Sequence, residues 1–145
     1  MIDCLAMTWT SPRYIGVDVG GTKTRALLVE LPSHGAPPEV IDRVEKKSMA
    51  ESEEGVTTII EAVSTLIDRD ATVPASIGVG LAGFVDRHGI VRHAPNTPGL
   101  IGVDVAGELG RAFDLPTLVD NDANCTAVAA HRLFASEAES LVAIT

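Results

Sequence analysis

The chain has 145 residues, enough for one domain with a core of its own. At 46% apolar and 21% charged residues it reads as globular, not disordered, and with aromatics at 3% that core must rest on Val, Ile, Leu and Ala. A net charge of −9 argues against nucleic acid or an anionic membrane surface as partner, and an anionic substrate would need local help from backbone N–H groups or a metal ion.

Residues 1–13 (MIDCLAMTWTSPR) lack a secretory pattern and read as an extension before a fold that begins at Tyr14. YIGVDV (14–19) is a β-rich run and TRALLVE (24–30) follows closely, which predicts a hairpin turning through Gly20, Gly21, Thr22 and Lys23. LPSHGAPP (31–38) carries turn residues throughout, and EVIDRVEKK (39–47) fits a third strand. In GVTTIIEAVSTLIDRD (55–70) the apolar residues at 56, 59, 60, 63, 66 and 67 form one stripe at helical period, the clearest helix of the chain. SIGVGLAG (76–83) reads as a buried strand ending in a glycine turn. FVDRHGIVRH (84–93) reads as a second hairpin with Gly89 near its turn, and APNTPG (94–99) as a loop. VDVAGELGRAF (103–113) has helical spacing, LPTLV (115–119) is a strand, NDANCTAVAAHRLF (121–134) a helix, and SLVAIT (140–145) opens another strand. Strands alternating with helices predict an α/β domain with a mixed, mostly parallel sheet and helices on both faces.

Two stretches carry chemistry. In DVGGTKT (18–24), Gly20 and Gly21 let backbone N–H groups approach a ligand, Thr22 offers a hydroxyl and Lys23 a charge, so the loop can hold phosphate oxygens. Asp18 can bind Mg²⁺, directly or through water. The same residues serve equally as a tight hairpin in which glycines only make the turn. VDNDANC (119–125) sets two carboxylates and two carboxamides at a strand end, where ligands of parallel α/β sheets bind. Asp120 or Asn121 can cap the next helix, but four polar residues exceed the needs of one cap. The excess points to hydroxyl recognition with a carboxylate as proton acceptor.

Three segments in order, VDVGGTKTRALLVE, VGLAGFVDRHGIVRHAPNTPG and LPTLVDNDANCTAVAA, resemble the N-terminal half of ROK-family sugar kinases, within the actin–hexokinase (ribonuclease H-like) superfamily. They span nearly all of 14–145, so the expected organisation is an extension over 1–13 and an N-terminal sugar kinase lobe over 14–145. The resemblance implies ATP-dependent phosphorylation of a hexose or amino sugar in the cytoplasm, with ATP and Mg²⁺, by a homodimer when the protein is complete. It makes Asp122 the catalytic base and Asn121 a sugar ligand, with Asn96 and Gly83 in sugar-contacting loops. Asp18, Gly20, Gly21, Thr22 and Lys23 match the first phosphate motif, and Asp120 and Asn124 are left to brace the turn. Two departures stand out: Asp120 replaces the usual Glu, and GLAGF replaces a glycine-proline turn. BadF-type kinases share a similar GGTKTRALL opening, but APN and DNDAN favour ROK.

Other residues read plainly. His34, His88, His93 and His131 lack ligand spacing, and the Cys-rich zinc motif common in ROK proteins has no match. Cys4 and Cys125 make no disulfide framework, and reduced thiols fit a cytosolic protein. EKK (45–47) and ESEE (51–54) read as solvated charges. No apolar run can span a bilayer. A ROK repressor would be expected to carry a DNA-binding module before DVGGT, for which the thirteen residues ahead of Tyr14 are too few. A non-catalytic sugar-binding or regulatory ROK protein is the alternative. In ROK kinases the strand at LVAIT leads into a second phosphate loop and a second lobe. These 145 residues alone are therefore expected to show no sugar kinase activity.

Overall fold

The computed structural model describes residues 11–32, 37–48, 55–134 and 136–142. Three strands come first: β1 (Arg13–Val19), β2 (Lys23–Glu30) and β3 (Glu39–Lys47). Helix α1 (Gly55–Arg69) precedes β4 (Ile77–Leu81), and a small hairpin of β5 (Phe84–Val85) and β6 (Val91–His93) follows. A 3-10 turn over Pro98–Leu100, helix α2 (Val105–Phe113), β7 (Thr117–Asn121) and α3 (Asp122–Phe134) complete it. The main sheet runs β3-β2-β1-β4-β7. The β1–β4 and β4–β7 pairs are parallel, and β1–β2 and β2–β3 are antiparallel hairpin neighbours.

Alternation decides which face each strand buries. Ile15, Val17 and Val19 of β1, Ala26 and Leu28 of β2, and Ile77, Val79 and Leu81 of β4 point into one core. Onto it α1 lays Ile59, Ala62, Val63 and Leu66, and α2 adds Val105 and Leu109; all six are fully buried. Each such Val, Leu or Ile contributes about 1.5–3 kcal/mol. Asp104 caps α2, its side chain accepting from the Gly107 N–H at 2.8 Å, and Asp114 ends the helix in the left-handed conformation.

The other face carries α3, packed against β4 and β7. The first turn of that helix lies directly over Gly80, where a Cβ would make ordinary contacts 3.4 Å from the Cys125 Sγ and 3.6 Å from the Asp122 Cα. Beyond α3 this face is open, and Leu118 is 81% exposed on it.

Three expectations change. Lys23 is the first residue of β2, not part of the turn. Strand β7 extends to Asn121, because its ladder with β4 pairs Asp120 with Gly80 and Asn121 with Leu81. Residues 140–142 form no strand, and 143–145 lie outside the described residues, as do Cys4, His34 and ESEE (51–54).

Candidate active site

The three parallel strands end level, Val19 beside Leu81 and Leu81 beside Asn121. Beyond these carboxyl ends the chain's polar loops converge. The glycine loop meets the 94–97 loop, since a Cβ at Gly21 would lie 2.8 Å from the Asn96 carbonyl oxygen. The turn after β4 is equally tight, a Cβ at Gly83 falling 2.5 Å from the His93 carbonyl oxygen and 3.0 Å from the Ala94 Cβ. The Gly83 carbonyl accepts from Asn121 Nδ2 at 2.8 Å, which ties β7 to the same turn. The glycine loop thus meets the 93–96 segment at Asn96, and the Gly83–Asn121 pair meets it at His93 and Ala94. Neither glycine can take a side chain without moving a neighbouring backbone.

The glycine loop is braced from β3. Ser48 donates its N–H to the Thr22 carbonyl at 3.0 Å and its hydroxyl to the Gly20 carbonyl at 2.7 Å, and its Oγ lies 2.9 Å from the buried Thr24 hydroxyl. The Gly20 N–H is spent on the Lys23 carbonyl at 2.9 Å. The N–H groups of Gly21 and Thr22 have no acceptor among the described residues. The loop is thus a braced turn that also presents two free donors. Sequence reasoning passed over Ser48, whose place is set by the β2–β3 register.

Lys23 is engaged. Its Nζ lies 2.6 Å from one Glu45 oxygen, and Arg25 Nε lies 2.9 Å from the other. Glu45 is held below the ordinary carboxylate range, first by Lys23 and then by Arg25. Lys46 likewise pairs with Glu61 at 3.0 Å. Glu45 and Lys46 of the EKK run are therefore paired, not simply solvated. Ladder register aligns Glu45, Arg25, Asp18, Gly80 and Asp120 in one row on the open face.

In VDNDANC each polar side chain has its own task. Asn121 Oδ1 accepts from the N–H of Ala123 at 2.9 Å and of Asn124 at 3.3 Å, capping α3 while its amide holds Gly83. The second amide hydrogen of Asn121 has no partner among the described residues. Asp120 Oδ1 accepts from the Asn121 N–H at 2.7 Å and from Asn124 Nδ2 at 3.0 Å. Asp122 is the first residue of α3, where unpaired helix N–H groups favour a negative charge. Its Oδ1 accepts from the Ala123 N–H at 2.8 Å, and its other oxygen has no partner among the described residues. Cys125, one turn on, has its thiol pushed up by partial burial and then by Asp120 and Asp122, which leaves it a poor nucleophile.

Among the described residues no three His, Cys, Asp or Glu side chains converge to hold a metal ion. Asp18 suits Mg²⁺ in another way. Its side chain is 62% exposed, and among the described residues its one ion-pair partner is Arg25, at 3.9 Å. Mg²⁺ keeps most of its waters and needs one or two carboxylates beside the phosphates.

Residues 14–145 match the ROK family. The chain belongs to the ROK family. The N-acetyl-D-glucosamine kinase of Citrobacter koseri is 30% identical over 118 residues, which are 79% of this chain and 36% of that protein. The N-acetyl-D-glucosamine kinase of Yersinia pestis is 28% identical over the same share of this chain and 43% of its own length. A ROK family glucokinase from Streptomyces griseus, solved in complex with glucose and AMPPNP, superimposes with a TM-score of 0.71 at 29% identity, covering 86% of this chain and 38% of that one. A ROK transcriptional regulator, a homolog of the E. coli MLC protein, superimposes at 0.74 with 20% identity over 89% of this chain and 33% of that one; it shows the fold alone. The fold is thus that of ROK hexokinases, with their actin-like and hexokinase-like sheet. The chain spans less than half the length of these relatives. No helix among the described residues is long and apolar enough to cross a membrane.

Proposed function

We propose that this chain is the first lobe of an ATP-dependent sugar kinase acting on a hexose or amino sugar, with Asp122 as catalytic base. The observation that carries this reading is the convergence beyond β1, β4 and β7. There Asn121, tethered to the Gly83 carbonyl, ends β7, and Asp122 next to it keeps one carboxylate oxygen with no partner among the described residues. Kinases of N-acetyl-D-glucosamine and glucose among the relatives support the substrate class.

In this reading the spare amide hydrogen of Asn121, together with Asn96 and the Gly83 turn, orients the sugar. Asp122 aligns the acceptor hydroxyl and takes its proton as the hydroxyl attacks the terminal phosphorus of ATP. A carboxylate suffices, because phosphoryl transfer asks little nucleophilic push of its base. The free N–H groups of Gly21 and Thr22, with Thr22 Oγ1 and Lys23, hold phosphate oxygens. Asp18 would hold Mg²⁺ through water, and the ion when bound would offset charge on those oxygens. The 1–13 extension and 14–145 lobe, a homodimer of complete protein and a cytoplasmic setting belong to the same proposal.

A coupled assay on a two-lobed ROK kinase that carries these residues as its first lobe tests it, with ATP, Mg²⁺ and a panel including glucose and N-acetyl-D-glucosamine. ADP release that depends on one of the sugars is the expected result. Sugar binding with no turnover on any sugar would favour a regulatory ROK protein.

A further inference from the structure

The chain carries −9 overall, yet the open sheet face beside the glycine loop gathers cations. Lys23 stands opposite Lys47 in the β2–β3 ladder, and Arg25 stands two residues along on the same face. Like charges directly opposite one another repel. The anion between them is Glu45, one oxygen on Lys23 at 2.6 Å and the other on Arg25 at 2.9 Å. All three side chains are about half exposed, at 53%, 54% and 46%. Exposed pairs of this kind are individually weak and exchangeable. The neighbouring Gly21 and Thr22 N–H groups, by contrast, have no acceptor among the described residues.

We infer that Glu45 is a built-in stand-in for the phosphoryl donor: its carboxylate occupies the Lys23–Arg25 pair until donor phosphate oxygens displace it, so that Glu45 sets donor affinity. This rests on reading the glycine loop as a phosphate site. A carboxylate presents two oxygens to two cations, as a phosphate group does, and the donors it engages are unavailable to phosphate until it is displaced. A glutamate is ionised at neutral pH in any case, and Lys23 and then Arg25 hold the Glu45 carboxyl further below its ordinary range, so it is a charged competitor there. Glu45 acts through Lys23 and Arg25 and is a positioning residue, not a catalytic one.

The test is titration of the 145-residue chain with inorganic tripolyphosphate and with ATP, at fixed ionic strength, by calorimetry. Glu45→Gln should lower Kd for both probes by roughly threefold to tenfold. Glu61→Gln makes the same change in net charge at an ion pair on α1 and should leave Kd within about twofold, while Glu45→Asp, which keeps the charge, should stay near wild type. Adding Lys23→Met to Glu45→Gln should abolish the gain. Gly21→Ala disturbs the donor loop but leaves Glu45 in place, and should weaken binding. If Gly21→Ala weakens binding but Glu45→Gln gives no gain, weakens it, or is matched by Glu61→Gln, the exchange is overturned and the loop reading stands. No binding by any variant, or equal binding by wild type and Gly21→Ala, overturns the loop reading and the exchange with it.

Discussion

At the scale of single residues, the loops that build the site hold one conspicuous loose end. Thr97, 1% exposed and next to Asn96, has a hydroxyl with no hydrogen-bond partner among the described residues. A buried hydroxyl left unpaired costs about 1–3 kcal/mol, so removing it while keeping its shape should not destabilise the protein. Thr97→Val is therefore expected to leave the urea midpoint unchanged or raise stability by up to about 1 kcal/mol. A loss larger than that would mean the hydroxyl is bonded after all. The residues of DNDAN illustrate a different economy. Asn121 caps α3 and holds Gly83, so one side chain serves helix and loop together, and its second amide hydrogen has no partner among the described residues.

At the scale of elements, the end of the sheet away from the site is pinned by Arg13. Its guanidinium reaches Glu30 on β2 at 2.9 Å and Asp70 after α1 at 2.5 Å. The Asp70 carboxyl is held below its ordinary value, first by the Thr72 backbone N–H and also by Arg13, against the opposing effect of burial. A carboxylate lowered on folding stabilises above its unfolded value, about pH 4, and that contribution is lost as pH falls through the lower folded value. Asp70→Asn should therefore cost more stability at pH 6 than at pH 3, as read from urea midpoints at the two pH values; an equal cost at both would contradict the pairing. Elements were the most legible level of this sequence. Helix α1 is plain in its apolar stripe, and β1 and β2 in two closely spaced β-rich runs around a glycine turn. What the sequence hid was register. Strand β7 reads as ending at Val119, because Asp120 and Asn121 are polar, yet the ladder with Gly80 and Leu81 continues through them. The same ignorance of register concealed Ser48 under the glycine loop and Glu45 between two cations.

At the scale of the molecule, the site lies at one end of one sheet. Leu118, Val128 and Phe134 stand 81%, 63% and 86% exposed on the side of α3 and β7. Kinases of this superfamily exclude water by closing a second lobe over such an end, which aligns donor and acceptor. The chain covers only 36% and 43% of two N-acetyl-D-glucosamine kinases, so the purified 145 residues are expected to release no sugar-dependent ADP in a coupled assay. Robust turnover by them alone would refute the need for a second lobe. The assignment of Asp122 as base is tested most directly by Asp122→Asn in a two-lobed ROK kinase with this first lobe, measuring kcat beside sugar Kd. The amide keeps shape and hydrogen bonding but cannot take the proton. The account predicts a fall in kcat of at least roughly a hundredfold with sugar Kd within about twofold. Near-normal turnover in that variant would contradict it.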